Sequence, residues 1–466
     1  MNRLLTTILS GAILLTAGSS ATSAAAPEAG LPWKKEYQER QRRVDQWYAP
    51  ARFGLFYTWG MITGSEGSWK DHERPLRYDT VAAFEEAAKD PEAIAANMVA
   101  TAKKAGARYI IFTVFHSCGR YFVNYPTKVP GYNWKATKDY FGALVERCHK
   151  EGIHLIVYLA ACKEHGWIKD GPHLAEEMRD QKNVFAAVTQ MINEIIDRHG
   201  EKIGGFWFDG NYNDELGKLV HARLPQGIVI HNNESGWGLS NSHVDFGTTE
   251  FLSGPADPEY SRPSGLLKQH QQFAMMNPIR DFNEDIPQAG GWWYEGRDDK
   301  FYQQLPYVKD PTYLVKQMVS SLGQRRQWNF ALGIGPMIDG KLPPCFEPMM
   351  ENMGRFMAWA AESIHDTMGG EGSALNPGWF NDGAYGSITV SRKDPKTLYI
   401  HVTTAPSKDY LKVQNNGYKV AAVVDLRTGK PVQFSDSGVL GLWAINWDDV
   451  AAFGDKVFKV TLAGAP

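Results

Sequence analysis

From about residue 50 onward, apolar runs alternate with stretches whose apolar positions recur at helical spacing. That is the pattern of a parallel sheet covered by helices. Strands are predicted over 53–59, 109–115, 154–160, 205–209, 228–231, 244–249 and 328–332, with a weak one at 292–294. The helix between the first two has Asp90 as its cap, Pro91 in its first turn and Ile94, Met98 and Ala102 along one face. Gly106 stops it. A second helix covers 139–151, and a third carries Val184, Val188, Met191, Ile192 and Ile195 on one stripe before Gly200. The run Gly205-Phe206-Trp207-Phe208-Asp209 is nearly all apolar, which suits a strand buried on both faces.

After a helix over 346–365 the texture changes to short alternating strands, 386–390, 397–403 and 457–462, separated by Gly, Pro, Asn and Asp turns. The pattern predicts an α/β chain: a (β/α)8-like TIM barrel over 27–370, then an antiparallel β-sandwich over 371–466. A doubly wound open sheet is the alternative. No glycine-rich dinucleotide turn follows the first strand, which removes the usual reason to prefer it.

Residues 1–26 read as a secretory leader: Arg3, an apolar run over 4–17, then small residues ending at Ala24-Ala25-Ala26 before Pro27. The apolar run is shorter than the roughly 18 residues a membrane span needs. A secreted or periplasmic protein without a membrane span is expected. Of 466 residues, 43% are hydrophobic and 22% charged, and the formal net charge is -3. No basic run could track phosphates, so nucleic acid is not an expected partner. Four cysteines are widely spread, at Cys118, Cys148, Cys162 and Cys345. Cys118 and Cys162 each follow a predicted strand and could be bridged, but buried thiols are the simpler expectation.

In a barrel of this kind, reactive groups sit where the strands end and the loops converge. Asp209 emerges there from a buried strand, although an aspartate before Gly210 can also be a plain turn residue. The run from Gly205 to Gly210 resembles the nucleophile strand of the α-L-fucosidase family. So, in the same order, do Ala51-Arg52-Phe53-Gly54-Leu55-Phe56 with Trp59-Gly60, and Ala105-Gly106-Ala107-Arg108-Tyr109 with His116. Trp293-Tyr294 and Gly333-Ile334-Gly335-Pro336 with Asp339-Gly340 continue the likeness. The resemblance implies a retaining exo-α-glycosidase on a barrel followed by a sandwich, with Asp209 attacking the anomeric carbon to form a covalent glycosyl-enzyme. No cofactor and no metal are expected. The expected partner is an oligosaccharide or polysaccharide, and the oligomeric state stays open.

A retaining site needs a second carboxyl as acid and base. Glu250 comes first, since the segment Asp245 to Glu250 resembles a family segment carrying a glutamate. Glu284 and then Glu66 follow, each with a reading as an ordinary loop acid. His116 stands where the family has two adjacent histidines, and the next residue here is Ser117. For the sugar ring, Trp59, Tyr158, Trp207 and Trp293 offer flat faces and polar tips near strand ends.

Three departures stand against these matches. Thr58 replaces a histidine, Ser117 replaces the second histidine, and His231-Asn232-Asn233-Glu234 lacks the family's arginine. A site that loses specific hydroxyl partners changes its preferred sugar. L-galactose, sulfated fucose or an anhydro sugar joins α-L-fucose as an expected substrate, with Lys70, Lys163 and Arg120 placed to meet a charged substituent. The alternative is a carbohydrate-binding pseudoenzyme that keeps the fold without turnover. A zinc hydrolase is disfavoured because the 13 histidines show no paired ligand spacing, and a serine hydrolase because no G-x-S-x-G elbow occurs.

Overall fold

The computed structural model describes residues 32–65, 76–116, 121–160, 180–210, 212–232, 243–250, 272–276, 293–294, 296, 306–324 and 328–464. Within these, the side chains of 32–37, 181, 248–250, 272–276, 306–307 and 324 fall outside the description. So do the leader, Cys118 and Cys162. Cys148 and Cys345 are buried free thiols.

Eight parallel strands close into a barrel in chain order. They are β1 (Phe53–Tyr57), β2 (Tyr109–Phe115), β3 (His154–Ala160), β4 (Gly205–Asp209), β5 (Ile228–Asn232), β6 (Phe246–Glu250), β7 (Gln272–Met276) and β8 (Trp328–Ile334). Closure is made by β1 pairing with β8, Phe53 against Phe330 through Tyr57 against Ile334. The seventh strand corrects the sequence expectation: it lies at Gln272–Met276, and Trp293 and Tyr294 are irregular. The run Gln-Phe-Ala-Met-Met has no β-branched residue and no alternation, so nothing local marks it as a strand.

Inside the barrel, Phe56, Tyr109, Ile111, Ile156, Tyr158, Trp207, Ile230 and Phe246 form one apolar column. Gly54 makes room for it, because a Cβ there would lie 2.3 Å from the Tyr109 ring. Tyr48 stacks on Phe246 at 4.6 Å between ring centroids. The alternate strand residues face a larger core shared with the outer helices. Helix Pro91–Ala105 is typical: Asp90 accepts from the Ala93 amide, and Gly106 ends it in the left-handed region at φ 77°. The N-terminal helix Pro32–Gln46 is fastened by Arg43, whose guanidinium lies 2.8 Å from Asp245. Asp245 also accepts from the Val229 amide, 2.8 Å away.

Helix Glu347–Ile364 leads into the C-terminal sheets. A six-stranded antiparallel sheet, whose first strand is Thr367–Gly369, faces a three-stranded sheet across a separate apolar core. Helices Tyr313–Gln324 and Glu347–Ile364 lie between barrel and sheet. Ser387 donates to the Val319 carbonyl at 2.8 Å and Thr389 to the Ser363 carbonyl at 2.7 Å. Among the described residues, no helix is long and apolar enough to cross a membrane.

Candidate active site

The last inward position of β4 is Asp209. Its strand partners are Ala160 on β3 and Asn232 on β5. The alternation that places Trp207 in the barrel column two residues earlier turns the Asp209 carboxylate toward the C-terminal mouth. Asp209 is 9% exposed, and both of its carboxylate oxygens are held. Tyr158 donates its hydroxyl to Oδ2, and the Asn232 amide donates to Oδ1 at 3.0 Å. Asp209 therefore is not capping its own turn at Gly210. A carboxylate so held is fixed in direction and remains an acceptor on the side that faces the mouth.

His116 and Trp293 complete the described part of the site. The pairing of β2 with β3 slips between Thr113 and Phe115, a bulge at Val114. One extra residue reverses the alternation, so Phe115 joins the outer core and His116 comes over the barrel mouth. There the imidazole stacks on Tyr158, and the Trp293 indole meets it edge-on at 5.8 Å. Below Tyr158, Trp207 and Phe56 make a sealed support, with ring centroids at 6.4 and 5.5 Å from the phenol. Trp207 is fully buried and forms this floor.

Next to Asn232, His231 points the other way. Its Nε2 lies 2.9 Å from the Gly210 carbonyl and its ring stacks on Tyr212 at 4.8 Å. Burial pushes the His231 imidazole below its usual range, against the pull of the Gly210 carbonyl and of Asp209.

The structure thus brings together Asp209, Tyr158, His116 and Trp293, with Trp207 beneath them. It does not bring Trp59. That indole lies two residues past the end of β1 and packs outward against Phe84 and Tyr140, at 5.3 and 5.1 Å. Glu250 ends β6, two residues past Thr248, whose backbone pairs with Asn232. The side chain of Glu250 falls outside the described residues, as do Glu284, Glu66, Ser117, Lys70, Lys163 and Arg120. Asn232 is the site residue that sequence reasoning missed. The apolar pattern ends the fifth strand at His231, whereas the strand runs one residue further and carries Asn232 inward. Among the described residues, no group of three His, Cys, Asp or Glu side chains is arranged to hold a metal.

Residues 20–362 match the family model described as Alpha-L-fucosidase. An alpha-L-fucosidase of Branchiostoma floridae is 22% identical over 360 residues, 70% of this chain and 73% of its own. The human tissue alpha-L-fucosidase is 23% identical over 358 residues, 70% of each chain. Among solved structures, alpha-L-fucosidase isoenzyme 1 from Paenibacillus thiaminolyticus superposes with a TM-score of 0.67 at 20% identity. That match covers 91% of this chain and 100% of the other. A trapped covalent intermediate of an alpha-L-fucosidase from Bacteroides thetaiotaomicron, in complex with 2-fluoro-fucosyl fluoride, gives 0.66 at 17% identity. There 92% of this chain and 96% of the other are covered.

Proposed function

This chain belongs to the alpha-L-fucosidase family of glycoside hydrolases, and from that premise we propose a secreted, retaining exo-α-glycosidase that removes a terminal α-L-fucose or fucose-like sugar. The observation that carries the reading is the Asp209 carboxylate at the mouth of β4, with a donor on each oxygen. One Asp209 oxygen attacks the anomeric carbon as the bond to the leaving oxygen breaks, and Glu250 supplies the proton that oxygen takes up. Water, deprotonated by the same glutamate, then displaces Asp209 from the anomeric carbon with net retention. The two carboxyl groups of such a site stand about 5 to 5.5 Å apart. The trapped intermediate of the Bacteroides thetaiotaomicron relative supports a covalent route.

His116 and Trp293 bind the sugar beside the nucleophile, one as a hydrogen-bonding group and one as an apolar wall. Thr58 and Ser117, at positions where a histidine would offer a longer polar arm, favour a sugar that differs from fucose in its hydroxyls or carries a substituent. Residues 1–26 direct export.

A panel of aryl glycosides, headed by α-L-fucoside and including α-L-galactoside, tests the whole reading, with product stereochemistry followed by NMR. Retention by the wild type and a rate loss of about 10³-fold or more in Asp209→Asn is the expected result. Inversion, or an active Asp209→Asn, would overturn it.

A further inference from the structure

The two donors on Asp209 come from opposite sides: Tyr158 belongs to β3, Asn232 to β5, and β4 runs between them. A carboxylate gripped at one oxygen alone can swing about that bond. Gripped at both from flanking strands, it has one orientation. We propose that Asn232 is a positioning residue for the reaction, setting the angle at which the Asp209 carboxylate meets the anomeric carbon. This rests on reading Asp209 as the nucleophile.

Asn232 suits that task in three ways. It is 1% exposed, so water does not compete for its amide. Its backbone is fastened on both sides: its carbonyl accepts from the Gly210 amide at 3.3 Å, and its residue neighbour His231 is anchored on Gly210 and Tyr212. Its side chain is neutral, so it donates without forming an ion pair that would weaken the attacking oxygen. The amide neither gives nor takes a proton. The carbon–oxygen bond forms at Asp209 as the bond to the leaving oxygen breaks, and Asn232 stays a donor to the carboxylate and then to the ester.

The test compares wild type, Asn232→Ala and Asn232→Asp in two measurements. The first maps by peptide mass spectrometry the residue labelled by a 2-deoxy-2-fluoro glycosyl fluoride of the sugar that the wild type cleaves fastest. The second follows kcat and KM against pH. The expected label is on Asp209. Asn232→Ala should lose about 10- to 100-fold in kcat with KM nearly unchanged. Asn232→Asp keeps the shape but sets a second carboxylate against the first, which moves the acidic limb of the kcat/KM profile up by at least about one pH unit. The other titratable groups packed around the site, Tyr158, His116 and His231, are kept in both variants. If Asn232→Asp fails to fold, the kcat of Asn232→Ala decides alone. A label on Asp209 with wild-type kcat and profile in the folded variants would overturn the role of Asn232. A label on another residue would instead remove the nucleophile assignment and this inference with it.

Discussion

The imidazole of His116 lies flat on the phenol of Tyr158, with ring centroids 5.2 Å apart and planes within 8°. The stack exists because the bulge at Val114 turns His116 inward, and it leaves the ring nitrogens at the rim of the stack. A phenylalanine would keep the stack and lose the nitrogens, whereas an alanine would lose both. His116→Phe is expected to raise KM by about 10-fold or more with little change in melting temperature. Steady-state kinetics with a thermal melt checks this, and a KM equal to wild type would mean that the nitrogens do not meet the sugar.

Tyr158 touches Asp209 through its hydroxyl alone, since its ring is supported by Phe56 and Trp207 below and His116 above. Tyr158→Phe therefore removes this donor to the carboxylate and keeps the ring. A hydrogen bond to a charged group contributes about 1.5–3 kcal/mol, so kcat should drop by about 10- to 100-fold while the folded structure is retained. Rapid-quench or steady-state kinetics decides it. An unchanged kcat would show that the Asn232 amide suffices to hold the nucleophile.

The elements read most easily from sequence are those with redundant local signals. Asp90, Pro91, the Ile94-Met98-Ala102 stripe and Gly106 agree on one helix, and the structure runs it from Pro91 to Ala105. Asp209 was legible because a charged residue closing an apolar run must emerge at the strand's end. What escaped depended on register and on pairing between distant segments. Trp59 follows the inward position Thr58 and so faces the helices, a matter of alternation that its place at a strand end conceals. His116 itself is legible from its matching position, and what the sequence leaves unmarked is the bulge in β2 that turns it to the mouth. Asn232 needed one more residue of β5, and β7 needed neighbours on both sides to become a strand at all.

The buried chain Ser363, Thr389, His401 and Asp455 ties the last barrel helix to the six-stranded sheet. Thr389 gives its only proton to the Ser363 carbonyl, so the His401 Nε2, 3.1 Å from the hydroxyl, carries a proton and donates. Its Nδ1 lies 2.6 Å from Asp455. Burial pushes the Asp455 carboxyl above its usual range, opposed first by His401. Removing one partner strands the other without water. Asp455→Leu is expected to cost about 3–5 kcal/mol, and His401→Leu combined with Asp455→Leu less than the two singles together. Denaturant unfolding of the four proteins closes the cycle. Additive losses would show that the two side chains do not act as a pair.

Acid should weaken this fold through its buried histidines. His365 is the clearest: burial, and then Arg108, pull its imidazole down to about 4, although the carbonyls of Ala51 and Gly106, at 2.7 and 2.9 Å from its two nitrogens, favour the charged ring. Burial likewise lowers His154, His199 and His231. The sign follows from proton uptake. An unfolded histidine protonates near 6.5, and the folded His365 not until about 4, so between these values the unfolded chain holds more protons. Stability is full above about pH 6.5 and falls as the pH drops toward 4, by about 3 kcal/mol from His365 alone. His365→Gln removes the titrating group while keeping one donor for a carbonyl. Its unfolding free energy should be lower at pH 7.5 but fall less steeply down to pH 4.5, as urea titrations at several pH values would show. An equal slope in both proteins would mean that His365 does not drive the acid loss.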